Sequence, residues 1–305
     1  CERALLLRHA TTVLSMVNRV IVNRRTLTSN GTERRYTEVL PDPPRPGAPV
    51  VLFLHGSLQS GSVARNFTGN TFDEFAGRGC VVLYPDGVGR HFNDHRVGFH
   101  EQARRELVDD TTFLTTLISH YETDRVIGCG FSNGGQMVQR FALERPGVLS
   151  GIACFGSPWP TADNVLPELR PFYDAWSPTP VLSLQGTADP LVPYDGGMSG
   201  IGDANRGQAR AALDSARFFA ALNGLGEDIE PVSAQPVSGV RVDRFGPGAP
   251  GSPAVDAASG AAPVELWTIE GMGHLVPNPK QMSDKLGPGT DKVVGAEIVA
   301  NFFGL

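Results

Sequence analysis

Short apolar runs recur along this chain. Val50–Leu54, Cys80–Tyr84, Val126–Cys129, Ile152–Phe155, Val181–Leu184 and Val264–Ile269 are rich in valine, isoleucine and leucine. Continuous rather than alternating runs of this length fit strands buried on both faces, the condition of a parallel sheet. Between most of them the apolar positions fall at helical spacing, over Val63–Ala76, Leu107–His120, Gly135–Leu143 and Gln208–Leu222. Asp291–Phe303 closes the chain in the same way. Strand alternating with helix predicts an α/β architecture: a mostly parallel sheet of about eight strands, helices on both faces, and right-handed crossovers.

Upstream the pattern changes. Residues 1–23 read as an amphipathic helical extension outside the sheet, and 24–305 as a single α/β domain. Arg24–Ser29 and Arg34–Leu40 are strand-like and joined by Ser29-Asn30-Gly31, a strong hairpin signal. The proline-rich Pro41–Gly47 is a surface loop. Gly246–Ala262, rich in Gly, Pro and Ala, reads as a loop or a disordered insert before the last strand. No repeat and no second domain is visible.

Composition narrows the picture further. A chain of 305 residues buries about three quarters of its unfolded surface, so its core suffices without a disulfide or structural metal. The formal net charge of −6 argues against a nucleic-acid partner. Arg3, Arg8, Arg19, Arg24 and Arg25 crowd the N-terminus and fit a solvated face. Cys80, Cys129 and Cys154 sit in apolar runs and read as small buried hydrophobes, without the CxxC spacing of a zinc site. No run has the length of a transmembrane helix. The stretch Ala4–Ile21 lacks the cleavage site of an intact signal peptide. Cys1 in first place fits a processed or partial product, and both a lipidated N-terminal cysteine and a fragment boundary give such a start.

The chemistry centres on Gly130-Phe131-Ser132-Asn133-Gly134. The G-x-S-x-G pattern is weak alone. Here it follows a strand directly and runs into a helix, the setting of a nucleophile elbow in an α/β-hydrolase fold. The sharp turn projects the Ser132 hydroxyl above the strand ends. A serine hydroxyl needs a base, and the base an orienting acid. In this fold they follow in the order Ser, Asp, His. Asp189 lies just after the strand Val181–Leu184 and His274 just after Val264–Ile269, so both loops leave the carboxyl edge of the sheet that carries Ser132. Asp195 and Asp203 lie further from a strand end and read as solvated loop residues. His91, His95 and His100 surround Asp94, but a surface or pocket-lining role is simpler than a metal site.

Acyl transfer also needs two aimed N–H groups for the developing oxyanion, each worth about 3 kcal/mol. Asn133, next after the nucleophile, supplies one. The loop Leu54-His55-Gly56-Ser57-Leu58-Gln59 supplies the other, with Ser57 the first candidate and Leu58 its neighbour. Trp159, between Pro158 and Pro160 after the strand Ile152–Phe155, is a candidate substrate-binding residue or a surface aromatic held between prolines.

Together these residues resemble the poly(3-hydroxybutyrate) depolymerase and feruloyl esterase group of α/β hydrolases, over roughly Thr26–Leu305. The group's His-Gly-Cys-x-Gln is similar to His55-Gly56-Ser57-Leu58-Gln59, and its Pro-Asp-Gly segment to Pro85-Asp86-Gly87, followed here by Asn93-Asp94. Val108-Asp109-Asp110-Thr111-Thr112-Phe113-Leu114, Gly186-Thr187-Ala188-Asp189-Pro190 and Gly273-His274-Leu275-Val276-Pro277 also resemble it. Ser57 replaces the group's usual cysteine and Val276 a common tryptophan. The resemblance implies hydrolysis of polyhydroxyalkanoate, feruloyl or short acyl esters through a Ser132-His274-Asp189 triad and an acyl-enzyme. It implies a secreted or periplasmic setting, and neither a metal nor an organic cofactor. A serine peptidase of the same fold and a non-catalytic binding protein that retains it are the alternatives.

Overall fold

The computed structural model describes residues 20–226, 228–246, 260–280 and 284–305. The strands are β1 (Val20–Ser29), β2 (Thr32–Pro41), β3 (Val50–Leu54), β4 (Val81–Pro85), β5 (Val126–Phe131) and β6 (Gly151–Phe155). There follow β7 (Val181–Gly186), β8 (Gly197–Ile201), β9 (Ala204–Ala209), β10 (Val232–Val237), β11 (Val240–Phe245) and β12 (Val264–Ile269). The helices are α1 (Gly61–Phe67), α2 (Glu74–Gly77), α3 (Gln102–Arg105), α4 (Asp110–Ser119), α5 (Asn133–Glu144), α6 (Ala212–Leu222) and α7 (Gly295–Phe303).

Among the described residues, ten strands form one sheet in the order β1-β2-β4-β3-β5-β6-β7-β12-β11-β10. The six from β4 to β12 are parallel, as their two-sided apolar character requires. Antiparallel hairpins extend both edges. The sheet is thus wider than the eight strands expected. The additional hairpin, β10–β11, ends in an edge strand whose residues are all exposed, so no apolar pattern marks it. β8 and β9 form a separate two-stranded ribbon.

Successive residues of a strand point to opposite faces, and this divides the core. Val50, Leu52 and Leu54 of β3 pack with Phe113 and Leu117 of α4, Met137 and Phe141 of α5, and Phe219 of α6. Val51 and Phe53 face the other way, with Phe67 of α1, Phe75 of α2, and Val299 and Phe302 of α7. Phe53 is fully buried, its ring 4.6 Å from Phe72 and 6.3 Å from Phe155 between centroids.

Several boundaries differ from the periodicity. The helix expected over Val63–Ala76 divides into α1 and α2, because Gly69 and Asn70 take left-handed backbone angles between them. α4 begins at Asp110, three residues later than expected, because the Asp109 carboxylate caps it by accepting the Thr112 N–H at 2.9 Å. Gln208 and Ala209, expected to open a helix, belong to β9. The N-terminal helix expected over 1–23 lies outside the described residues up to 19, while Val20–Asn23 is already β1. Most of the Gly246–Ala262 insert also lies outside them. Cys80, Cys129 and Cys154 are buried free thiols. No described helix is long and apolar enough to cross a membrane.

The core makes a direct test available. Phe53→Ala removes the ring that packs β3 against the Phe72 turn and Phe155 of β6. It should lower the free energy of unfolding by about 3–5 kcal/mol, read as a fall in the urea midpoint at unchanged slope.

Candidate active site

β5 ends at Phe131 and α5 begins at Asn133, so one residue, Ser132, makes the whole reversal. Its φ of 53° and ψ of −119° lie in a region that a residue with a side chain enters only at a cost of about 1–3 kcal/mol. The surroundings impose it. Ser132 N–H donates to Phe155 O on β6 at 2.8 Å, and Gln136 N–H donates to Ser132 O at 3.0 Å. A Cβ on Gly130 would lie 2.4 Å from the Gly134 carbonyl carbon, and one on Gly134 would lie 2.1 Å from Leu54 O. Only glycine lets β3, β5 and α5 approach this closely.

β7 and β12 are neighbouring parallel strands, so the loops that follow them leave the sheet side by side. Thr187 N–H donates to Ile269 O and Ala188 N–H to Met272 O, joining the two loops. Asp189 Oδ2 accepts a hydrogen bond from His274 Nδ1 at 2.6 Å. Asp189 Oδ1 accepts the Leu191 and Val192 N–H groups, each at 2.8 Å. Both side chains are almost wholly buried. A proton on Nδ1 leaves the Nε2 lone pair free. Nε2 has no hydrogen-bond partner among the described residues, and the imidazole ring stacks 4.8 Å from Phe131. Ser132 and His274 line one narrow cleft with Ser57, Arg96, Leu191, Val192, Ser199, Gly200, Ile201 and Arg206. Ser132 Oγ and Nε2 are therefore not hydrogen-bonded in this state.

Ser57 lies on the cleft wall. The neighbouring candidate, Leu58, has a left-handed backbone and spends its N–H on Arg90 O at 3.0 Å. His55 clips this loop down: its Nε2 accepts the Gly87 N–H at 2.9 Å, which fixes the proton on Nδ1 to donate to Gly56 O at 2.8 Å. The Asn133 side chain is spent on both backbone groups of Phe92 and on Asp94 Oδ2. Its backbone N–H is in the first turn of α5, where no intrahelical partner exists.

Trp159 needs correction as a substrate-binding candidate. It is 1% exposed and absent from the cleft wall. Its ring packs on His95, Tyr173, Phe218 and Phe219, so it belongs to the core under the loop after β6. Asp195 and Asp203 are exposed. His91 bonds the Gly89 carbonyl, His95 bonds Gln136, and Asp94 pairs with Arg96. No cluster of three potential metal ligands occurs among the described residues. The sequence reading missed Arg96 and Arg206 in the wall. Arg96 had a faint signal in its spacing from Asp94. Arg206 lies on a polar ribbon with no motif.

No family model matches the chain. It is 32% identical over 163 residues to "Putative esterase NocK" of Nocardia uniformis subsp. tsuyamanensis, a match covering 49% of this chain and 42% of that protein. The chain thus spans less than half the length of that curated relative. The acetyl xylan esterase from Aspergillus awamori superposes with a TM-score of 0.58 at 13% identity, covering 92% of this chain and 99% of that one. The chain has the α/β-hydrolase fold. A predicted CIB-like hydrolase from Thermoplasma acidophilum aligns over 84% of this chain and 89% of its own, with a TM-score of 0.49 and 17% identity.

The loop histidines make stability depend on pH. Burial lowers both His55 and His95 from 6.5 to about 4. Each is neutral in the fold yet protonates readily in the unfolded chain. The stability present above pH 6.5 is therefore lost as pH falls toward 4, by up to ~3 kcal/mol for each. Urea titrations between pH 7.5 and 4.5 should show this decline, and His95→Gln should show a shallower one.

Proposed function

We propose that this chain is a serine esterase with Ser132 as nucleophile, His274 as general base and acid, and Asp189 as the orienting carboxylate. One observation carries the reading. The buried Asp189–His274 pair leaves Nε2 free at the cleft that also holds Ser132 on its strained turn. The fold shared with the acetyl xylan esterase and the partial match to the Nocardia protein support it.

Ester cleavage then proceeds in two steps. Ser132 Oγ attacks the ester carbonyl as Nε2 takes its proton, and Asp189 stabilises the resulting imidazolium. The N–H groups of Ser57 and Asn133 hold the oxyanion. His274 protonates the leaving alcohol, and the acyl-enzyme is released by a water that His274 activates in turn. The resemblance to polyhydroxybutyrate depolymerases and feruloyl esterases offers polyester and feruloyl substrates as well. The narrow cleft, with Leu191, Val192 and Ile201 as its apolar wall, favours short acyl esters.

Ser132→Ala should retain the native melting profile, lose at least ~1,000-fold in kcat, and no longer react with a fluorophosphonate probe. Full ester turnover by that variant would refute the assignment. Ser57→Pro, which removes one oxyanion donor, should lower kcat by ~100- to 1,000-fold with less change in KM. Unchanged kcat would move the donor elsewhere.

A further inference from the structure

Two guanidinium groups line the cleft with Ser132 and His274. Arg96 comes from the loop after β4 and Arg206 from β9. Their side chains are only 8% and 7% exposed. Burying a guanidinium is costly unless a carboxylate or several acceptors compensate it, so two of them in so small a cleft call for a reason.

Arg96 is held by a bidentate carboxylate: Asp94 binds its Nε and Nη2 with both oxygens and also receives the Asn133 amide. Arg206 is held less completely. Its Nη2 pairs with Glu101 at 2.5 Å, while its Nε, equally buried, has no partner among the described residues. A third cation, Arg104, shares the Phe99 ring with them. Arg104 bonds only neutral oxygens, those of the Asn93 side chain and the Asp94 and Arg96 carbonyls, and Glu168 acts on it without forming an ion pair. All three guanidinium carbons lie within 6 Å of the buried Phe99 ring, at 5.7, 5.8 and 5.0 Å for Arg96, Arg104 and Arg206. Asp94 and Glu101 each balance one guanidinium of the cleft wall, so what the wall leaves open is the unpartnered Nε of Arg206.

We propose that the cleft selects esters bearing a carboxylate close to the scissile bond, and that Arg206 is the residue that reads it. The inference rests on the esterase reading and narrows its substrate class. A carboxylate is planar, matches the N–H fork of a guanidinium and offers the acceptor that Arg206 Nε lacks. Arg206 suits the task better than Arg96 because its Nε has no partner among the described residues, whereas Asp94 already takes both Nε and Nη2 of Arg96. Its backbone is also held: Asn164 Nδ2 donates to Arg206 O at 3.0 Å, and the Gly98 backbone packs directly against it.

The experiment compares two matched pairs by pH-stat: monoethyl adipate against ethyl hexanoate for a carboxylate on the acyl side, and the butyryl ester of 3-hydroxypropanoate against propyl butyrate for one on the alcohol side. In at least one pair kcat/KM should favour the carboxylate by ~10-fold or more, as expected for a charge-assisted contact. Arg206→Met should collapse that ratio toward unity. Glu101→Gln, on a side chain 30% exposed, should raise it, because it frees Arg206 from its competitor. Opposite signs at two partners of one ion pair are not the result of a purely structural role. An enzyme that labels with fluorophosphonate at Ser132 but favours the neutral ester in both pairs, or keeps its ratio in Arg206→Met, overturns the inference while leaving the esterase reading intact. Absence of both labelling and turnover would instead sink the esterase reading, and this inference with it.

Discussion

The sheet's hydrogen-bond ladder does not stop where the strands stop. Ser132 N–H donates to Phe155 O, Gly156 N–H to Leu184 O, and Thr187 N–H to Ile269 O. These three bonds continue the pairing of β5 with β6, β6 with β7, and β7 with β12 just past the carboxyl edge. The segments carrying Ser132, Asp189 and His274 therefore leave the sheet from backbone already fixed in mutual register. The close packing of Gly130 and Gly134 adds β3 to the same assembly. Residues 57, 85 and 142 positions apart in the chain are thus brought to one edge of the sheet without a flexible arm, and Ser132 and His274 to one cleft.

The loop after β4 is held by buried polar contacts as well as by the buried rings of Phe92 and Phe99. Burial raises the Asp94 carboxyl, but Arg96 and the histidine beside it more than offset this and leave it below its usual value. Asn93 N–H donates to Asp110, whose carboxylate also meets Arg34 at 2.7 Å. Asp110 is raised by the same burial, and Arg34 only partly counters it. Removing one member of such a pair strands the other in a low-dielectric interior, whereas the pair itself contributes little. Its function is to fix a geometry: Asp94 and Phe92 hold the Asn133 side chain, and so the first turn of α5.

What the sequence made legible follows from this. The six central strands are buried on both faces, so their apolar runs carried the architecture almost unaided. The turn at Ser132 was readable because its strain demands glycines at fixed offsets. Asp189 and His274 were readable because each lies within five residues of a buried strand end. The failures have equally physical causes. β10 presents only exposed residues, and β8 and β9 pair with each other outside the main sheet, so neither shows the pattern of a core strand. Trp159 stood where a pocket aromatic belongs, but sequence does not reveal that Phe218 and Phe219 of α6 arrive to cover it. Arg206 reaches the cleft only because β9 is seated against Asn164, a contact between segments more than forty residues apart.

That seating ties Arg206 to the Asp189–His274 pair. Leu191 and Val192 line the cleft, and their N–H groups hold Asp189 Oδ1. Leu191 O in turn accepts Gly200 N–H of β8 at 3.0 Å. The ribbon that brings Arg206 to the wall is therefore bonded to the segment that orients the carboxylate paired with His274. A change of side chain at 191 or 192 reshapes the pocket while leaving those N–H donors in place. A change that moves the backbone there, such as proline, withdraws a donor from Asp189 and frees its carboxylate to rotate away from Nδ1. Side chains at 191 and 192 can change freely, but the backbone there is constrained by the hydrogen bonds that hold the Asp189 carboxylate.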